Sequence, residues 1–250
     1  MDYSGVAAAL AADVQVRCGE IRTGVTVQRI RSSGGEIRVE TDQDSVIADR
    51  VAVCGGLHAD RLARASGLNP GVRIIPFRGE YSELRPDRAW LVRGLVYPVP
   101  NPELPFLGVH LTRGIDDVVH IGPNAVPALA REGYSWGAIS PRDVFDMVTF
   151  PGSWKLARAY GRIGMSEMAR SLVGRSLVRA GQTLLPALSL ADITKSTSGV
   201  RAQAVNRDGS LVDDFLFLRH GSVLHVLNAP SPAATACLPI GEHIAHELYR

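Results

Sequence analysis

The segment VIADRVAVCGGLHADRLARASGL constrains the fold more than any other part of the sequence. Its apolar run Val51–Val53 stops at Cys54-Gly55-Gly56, and Leu57, Leu62 and Leu68 follow in a helical pattern. A short apolar run ended by glycines and followed by a helix reads as a buried strand of a parallel sheet. Turns at the carboxyl ends of such strands are where open α/β sheets bind ligands, and a plain strand-to-helix turn is the equal alternative.

The texture around this segment divides the chain. Residues 3–13 carry alanines and leucine at helical spacing, and the β-like pieces 20–30, 36–41 after Gly34-Gly35, and 46–54 follow as a small meander. From Arg73 to Asn124 the pattern becomes strands separated by Pro and Gly, in VRIIPFRGEYSEL, GLVYPVP, PFLGVHLTRG and VVHIGPNAV. Ser140-Pro141-Arg142-Asp143 opens a helix, with Ser140 as cap and Pro141 at the first position, and helical character continues with breaks to about Leu185. Strand patterns return in SGVRAQAV, LVDDFLFL and SVLHVLNA, with Asp208-Gly209 as the turn between the first two. The expected fold class is mixed α/β (α+β): an α/β part contributed by 1–75 and 191–250, and an antiparallel sheet with helices over 76–190.

Composition removes several functions. With 250 residues, 46% of them hydrophobic, the chain can bury a substantial core, and a formal charge of +2 without a basic, aromatic-laced cluster gives no nucleic-acid surface. Cys18, Cys54 and Cys237 are isolated and odd in number, which fits a reducing compartment and no thiolate metal site. The amino-terminal stretch lacks a signal-type apolar core, and no stretch approaches the roughly 18 apolar residues of a membrane span. The expected location is the cytoplasm. The arginines of KLARAYGRIGMSEMARSLVGRSLVR read as polar faces of amphipathic helices, with peripheral contact at the inner membrane as the lesser alternative.

There is no G-x-G-x-x-G, P-loop, G-x-S-x-G or H-E-x-x-H in the sequence. His243 and His246 stand three apart in a helical tail, and among glutamates they read as a solvated face, with no metal expected. Arg201 stands in a strand of small and apolar residues, where a guanidinium needs a carboxylate partner, either Asp213-Asp214 across the hairpin or a ligand. His110 and Tyr97 sit inside strands, where a histidine is either a hydrogen-bonded core residue or a base. The tail NAPSPAATA runs from an apolar strand into an expected helix whose first turn has small side chains, leaving backbone N–H groups open to an electron-rich group.

The blocks FRGEY (77–81), YPVPNPELPFLGVHLTR (97–113), GPNAV (122–126), GVRAQA (199–204), LVDDF (211–215) and NAPSPAATA (228–236) together resemble the L-2-hydroxyglutarate dehydrogenases and oxidases. These are FAD enzymes of the D-amino-acid oxidase-like superfamily. The resemblance implies oxidation of a 2-hydroxy dicarboxylate, L-2-hydroxyglutarate, to 2-oxoglutarate, with hydride passing to flavin and electrons leaving to oxygen or a quinone chain.

The resemblance also implies residue roles. Val27, the turn Cys54, Gly55 and Gly56, and the tail residues Ser231, Pro232, Ala233, Ala234 and Thr235 would contact FAD. Arg201 would grip the substrate carboxylate, and His110 would take the hydroxyl proton beside Tyr97. Arg78, Tyr81 and Gln203 would reach the distal carboxylate. Members of the family begin with a strand, a G-x-G-x-x-G loop and a helix that this sequence does not contain, so the FAD-binding Rossmann-like domain is expected to be incomplete. Two alternatives stay open: a remnant or dicarboxylate-binding module without flavin, and a related amine or glycine oxidase.

Overall fold

A computed structural model describes residues 2–99, 108–123, 125–172, 174–229 and 233–250. The chain divides into two compact units, one formed by Ile75–Ala202 and the other by Asp2–Ile74 together with Gln203–Arg250.

The second unit begins with α1 (Tyr3–Val16), capped by Asp2, whose carboxylate accepts from the Gly5 N–H. An antiparallel meander follows, of β1 (Val27–Ser33), β2 (Glu36–Thr41) and β3 (Ser45–Ala48). The expected strand over 20–30 is displaced toward 27–33, because Gly24 takes a left-handed φ of +69° and breaks the extended run. The piece expected over 46–54 is two strands in different sheets. Its first half, β3, pairs antiparallel with β2, whereas β4 (Val51–Val53) pairs parallel with β12 (Val223–Asn228). A parallel partner cannot arrive by a hairpin, so it is supplied from the far end of the chain. The sheet order is β11-β12-β4, with β11 spanning Leu216–His220. β11 is shorter than LVDDFLFL implied, and Leu211 makes an isolated bridge to Val205 ahead of it. The core between meander and sheet is Ile30, Ile37, Val53 and Val223, with Leu62 of α2 (Ala59–Ala65) packed on it.

α6 (Cys237–Tyr249) begins later than its sequence implied, and Ala234–Ala236 form a 3-10 turn ahead of it. Pro239 explains the shift: a proline is tolerated in the first turn, where its missing N–H has no intrahelical partner, and not farther inside. His243 and His246 are both exposed on α6, as the sequence implied. The His243 ring also lies against Phe217 of β11 and Phe215 just ahead of it, at 5.6 and 4.9 Å between centroids.

The first unit is built on a sheet of order β10-β5-β8-β7-β6, with β9 (Val126–Pro127) paired to β5. These strands are β5 (Val72–Leu84), β6 (Leu95–Val96), β7 (His110–Arg113), β8 (Val119–Gly122) and β10 (Ile193–Asn206). Three helices follow the strands up to β9: α3 (Pro141–Val148), α4 (Pro151–Leu172) and α5 (Gly174–Gln182). Leu177 and Val178 of α5 pack with Leu84, Leu111, Val119 and Ile121 on one face of the sheet. The strands alternate strictly enough to leave the opposite face for polar side chains.

Ser140 caps α3 by accepting from Asp143 N at 3.3 Å, and the buried Asp143 carboxylate accepts from Arg131 N at 2.7 Å. Replacing Ser140 by alanine is expected to lower stability by about 1 kcal/mol, read as a shift in the urea midpoint at constant slope.

Candidate active site

The polar face of the first unit's sheet follows from register. Leu111 is opposite Ile121, and both are fully buried on the core side. Their neighbours must therefore point the other way: His110 opposite Gly122, and Thr112 opposite His120. Ser82 is paired with Ile121 on the core side, so Tyr81 and Glu83 join His120 on the open face, Glu83 directly across from it. The Tyr81 and His120 rings meet edge to face at 6.4 Å.

Tyr97 follows β6 and stacks on His110, with ring centroids 4.3 Å apart and planes 15° from parallel. Its hydroxyl lies 3.5 Å from Thr112 Oγ1. His110 Nδ1 is 3.1 Å from the Gly108 carbonyl, which can only accept, so Nδ1 carries the proton and Nε2 holds the lone pair. Burial lowers the His110 pKa, and the Gly108 hydrogen bond partly opposes that shift. Neutral imidazole with an available Nε2 is the state a base needs. Burial, with Tyr97 close by, pushes the Tyr81 phenol up, so its hydroxyl remains a proton donor.

Arg78 is 2% exposed, and its guanidinium is engaged within this unit. Nε donates to Glu80 Oε1 at 3.0 Å, Nη1 donates to the Ser135 carbonyl at 3.0 Å, and Cζ lies 4.5 Å from the Trp136 ring centroid. It clamps the segment around 133–136. Arg201 is exposed on β10, beside β5 in the sheet. Thr112, Glu83 and His120 share the polar face without having been singled out in the sequence. The signal was present in VVHIG and HLTR, whose period-two alternation puts the histidine and threonine on the side away from Val119, Ile121 and Leu111.

In the second unit, Gln203 is 1% exposed and donates from Nε2 to the Ala204 and Val212 carbonyls at 3.1 and 3.2 Å. It joins the two arms of the Asp208-Gly209 hairpin. Because β4 and β12 are parallel, the turn at Cys54–Gly56 and the segment after Asn228 leave the sheet at the same end. Such paired carboxyl ends form the ligand crevice of open α/β sheets. Gly56 has φ +48° and nothing within 4 Å of where a Cβ would stand. At Gly55 a Cβ would stand 2.8 Å from Leu62 Cδ1 and 3.3 Å from Ala59 Cα, which keeps the turn tight against α2. Cys54 is exposed at this turn, and desolvation raises its pKa, leaving the group a thiol.

Ala233, Ala234 and Thr235 lie in the 3-10 turn and its cap, directly ahead of α6, and Ser231 and Pro232 lie outside the described residues. Val27 is half-buried at the start of β1. An open glycine turn and a small-residue helix entry at one end of a parallel pair fit the approach of a flavin dinucleotide. Among the described residues no group of His, Cys, Asp or Glu is arranged to hold a metal.

A parallel strand pair ending in a glycine turn is thus joined in the chain to an antiparallel sheet bearing a stacked tyrosine and histidine. Residues 1–247 match the family described as DAO: FAD dependent oxidoreductase, and the chain belongs to that family. It is 43% identical over 249 residues to the L-2-hydroxyglutarate dehydrogenase of Escherichia coli (strain K12), covering 99% of this chain and 59% of that protein. It is 39% identical over 265 residues to the mitochondrial L-2-hydroxyglutarate dehydrogenase of Homo sapiens, covering 99% of this chain and 57% of the relative. The chain thus spans between half and two thirds of the length of these relatives. Its fold is similar to that of the L-alpha-glycerophosphate oxidase from Mycoplasma pneumoniae, with a TM-score of 0.61 at 16% identity, covering 96% of this chain and 54% of that one. Glycine oxidase from Bacillus cereus is similar in fold too, with a TM-score of 0.59 at 15% identity over 96% of this chain and 54% of that one.

Proposed function

We propose that this chain carries the substrate sheet and part of the flavin site of an FAD-dependent oxidoreductase that converts L-2-hydroxyglutarate to 2-oxoglutarate. The observation that carries the reading is the stacked Tyr97–His110 pair, with the histidine tautomer fixed by the Gly108 carbonyl. The identity to L-2-hydroxyglutarate dehydrogenases favours this substrate over the amines taken by other members of the fold.

Bound FAD supplies the two-electron acceptor for the hydride leaving C2. His110 Nε2 takes the proton of the 2-hydroxyl, leaving the oxygen to become the product carbonyl, so the substrate loses one hydride and one proton. Tyr97 holds the imidazole plane by stacking on it. Arg201 grips the carboxylate next to C2 through two parallel N–H···O bonds. Of the residues expected at the distal carboxylate, Tyr81 is on the open face and is assigned there together with His120, whereas Arg78 holds the segment around 133–136 and Gln203 holds the hairpin of the second unit. Val27, Cys54, Gly55, Gly56 and residues 231–235 are assigned to FAD. Oxygen or a membrane quinone is the final electron acceptor, and contact with the membrane is peripheral in this reading. No helix among the described residues is long and apolar enough to cross a membrane.

The test is anaerobic addition of L-2-hydroxyglutarate to the chain mixed with FAD. Bleaching of protein-bound flavin is the expected result. Folded protein that retains no flavin would leave the dicarboxylate-binding reading, and bleaching by glycine but not by L-2-hydroxyglutarate would move the substrate to the amines. Arg201→Ala is expected to raise KM about tenfold or more, since it removes a charged bidentate contact, and steady-state kinetics with L-2-hydroxyglutarate would read it.

A further inference from the structure

The second unit contains a cleft of about 360 Å³, bounded by β1, the chain after α2, and the start of β12. His225 is on its wall. The residue is 1% exposed, and neither Nδ1 nor Nε2 has a hydrogen-bond partner. The strand explains why the side chain is there. Val223 and His225 alternate onto the face where β12 meets the meander core, and His225 is in register with Val53. An aliphatic residue would fill this position without polar atoms. An imidazole instead brings one N–H and one lone pair into a buried setting, where leaving both unmatched is unfavourable. Burial and the nearby His220 both disfavour its charged form.

The rest of the lining is rich in donors and contains no carboxylate. Arg31 is held by Glu40 at 2.8 Å, and Ser66 Oγ is spent on Ile30 N and the Leu62 carbonyl. Arg29, His220 and Ser32 are exposed at the lining and remain available to a ligand. The group that complements an imidazole N–H, a guanidinium and a hydroxyl together is an oxyanion.

We propose that this cleft is a binding site for a small oxyanion, a carboxylate or a phosphate, held by His225 in the wall and Arg29 at the mouth. It is distinct from the flavin crevice. The cleft touches β12 at Val223 and His225 and the end of β11 at His220, whereas the turn and tail residues assigned to flavin follow the opposite, carboxyl ends of β4 and β12, and Val27 precedes the part of β1 that lines the cleft. Its volume is at the lower end of small-molecule sites, about 300–1,000 Å³, which suits a simple dicarboxylate or phosphate ester and not a dinucleotide.

The test follows histidine ring signals by NMR while the full chain is titrated with inorganic phosphate, with succinate, and with FAD in separate experiments. A ring signal that disappears in His225→Phe should move in a saturable way with one of the first two, with half-saturation near or below about 1 mM. Whichever of phosphate and succinate saturates at lower concentration identifies the anion class. Arg29→Ala should weaken that binding about tenfold. Arg29 is exposed, so this comparison keeps the native histidine and stands even where His225→Phe does not fold. No saturable shift with either anion, unchanged affinity in Arg29→Ala, or displacement of the anion by FAD would overturn the proposal.

Discussion

His110→Asn is expected to slow flavin reduction by L-2-hydroxyglutarate by about 10²- to 10⁴-fold, the range for losing a positioned general base. Asparagine is the informative replacement because its amide can still donate toward the Gly108 carbonyl, where His110 Nδ1 stands at 3.1 Å. Stacking area on Tyr97 is reduced, but the lone pair of Nε2 is the function that disappears outright. The urea midpoint should therefore change little while the single-turnover rate collapses. The pH profile separates a base from a packing residue. Burial lowers the His110 pKa, so the imidazole remains neutral to a lower pH than an ordinary histidine. The native rate should fall on the acid side with a midpoint below the ordinary histidine value, and His110→Asn should lose that limb. A variant with full rate, or with the acid limb intact, would remove His110 from the reaction.

Gly122→Ala is expected to destabilise the protein by about 2–4 kcal/mol, combining backbone strain with overpacking. Gly122 has φ +148°, and a Cβ there would stand 2.6 Å from the Glu80 carbonyl and 3.2 Å from Tyr81 Cα and Cδ1. Two of those contacts are backbone atoms of β5, which cannot swing aside as a flexible side chain would. The residue across from Gly122 is His110, so the same substitution should disturb the polar face as well as the sheet. Gly137→Ala is the control: no atom lies within 4 Å of its would-be Cβ and its φ is not in the left-handed region. That variant should unfold within about 0.5 kcal/mol of the parent in urea, the usual range for surface changes. Equal midpoints for the two variants would show that β8 has more room than the structure gives it.

Local chemistry made several elements legible before any tertiary information. Ser140-Pro141 marked the start of a helix because a hydroxyl cap and a fixed φ act within one turn. Glu36–Thr41 was readable as a strand after Gly34-Gly35, and Val51–Val53 ahead of Cys54-Gly55-Gly56 was readable as a parallel strand. The family was legible as well, because ordered blocks such as FRGEY and GVRAQA record a whole site rather than one element.

Other features depended on partners distant in sequence. Residues 46–54 look like one apolar strand, yet they divide between two sheets, since β3 finds β2 nearby and β4 finds β12 from the far end of the chain. Arg78 and Arg201 are both arginines in strands, but only the fold reveals that Arg78 is surrounded by Glu80, Ser135 and Trp136 while Arg201 is exposed. His110 and His225 likewise both read as strand histidines. One stacks on Tyr97 with its tautomer set by a carbonyl, and the other is buried beside a cleft with both nitrogens unmatched. Sequence by itself determined the element types, the caps and the family, because those follow from interactions within a few residues or from many blocks read together. Tertiary structure alone decided which strands are neighbours and what each polar side chain faces, because register and burial are set by contacts between segments that the chain brings together only on folding.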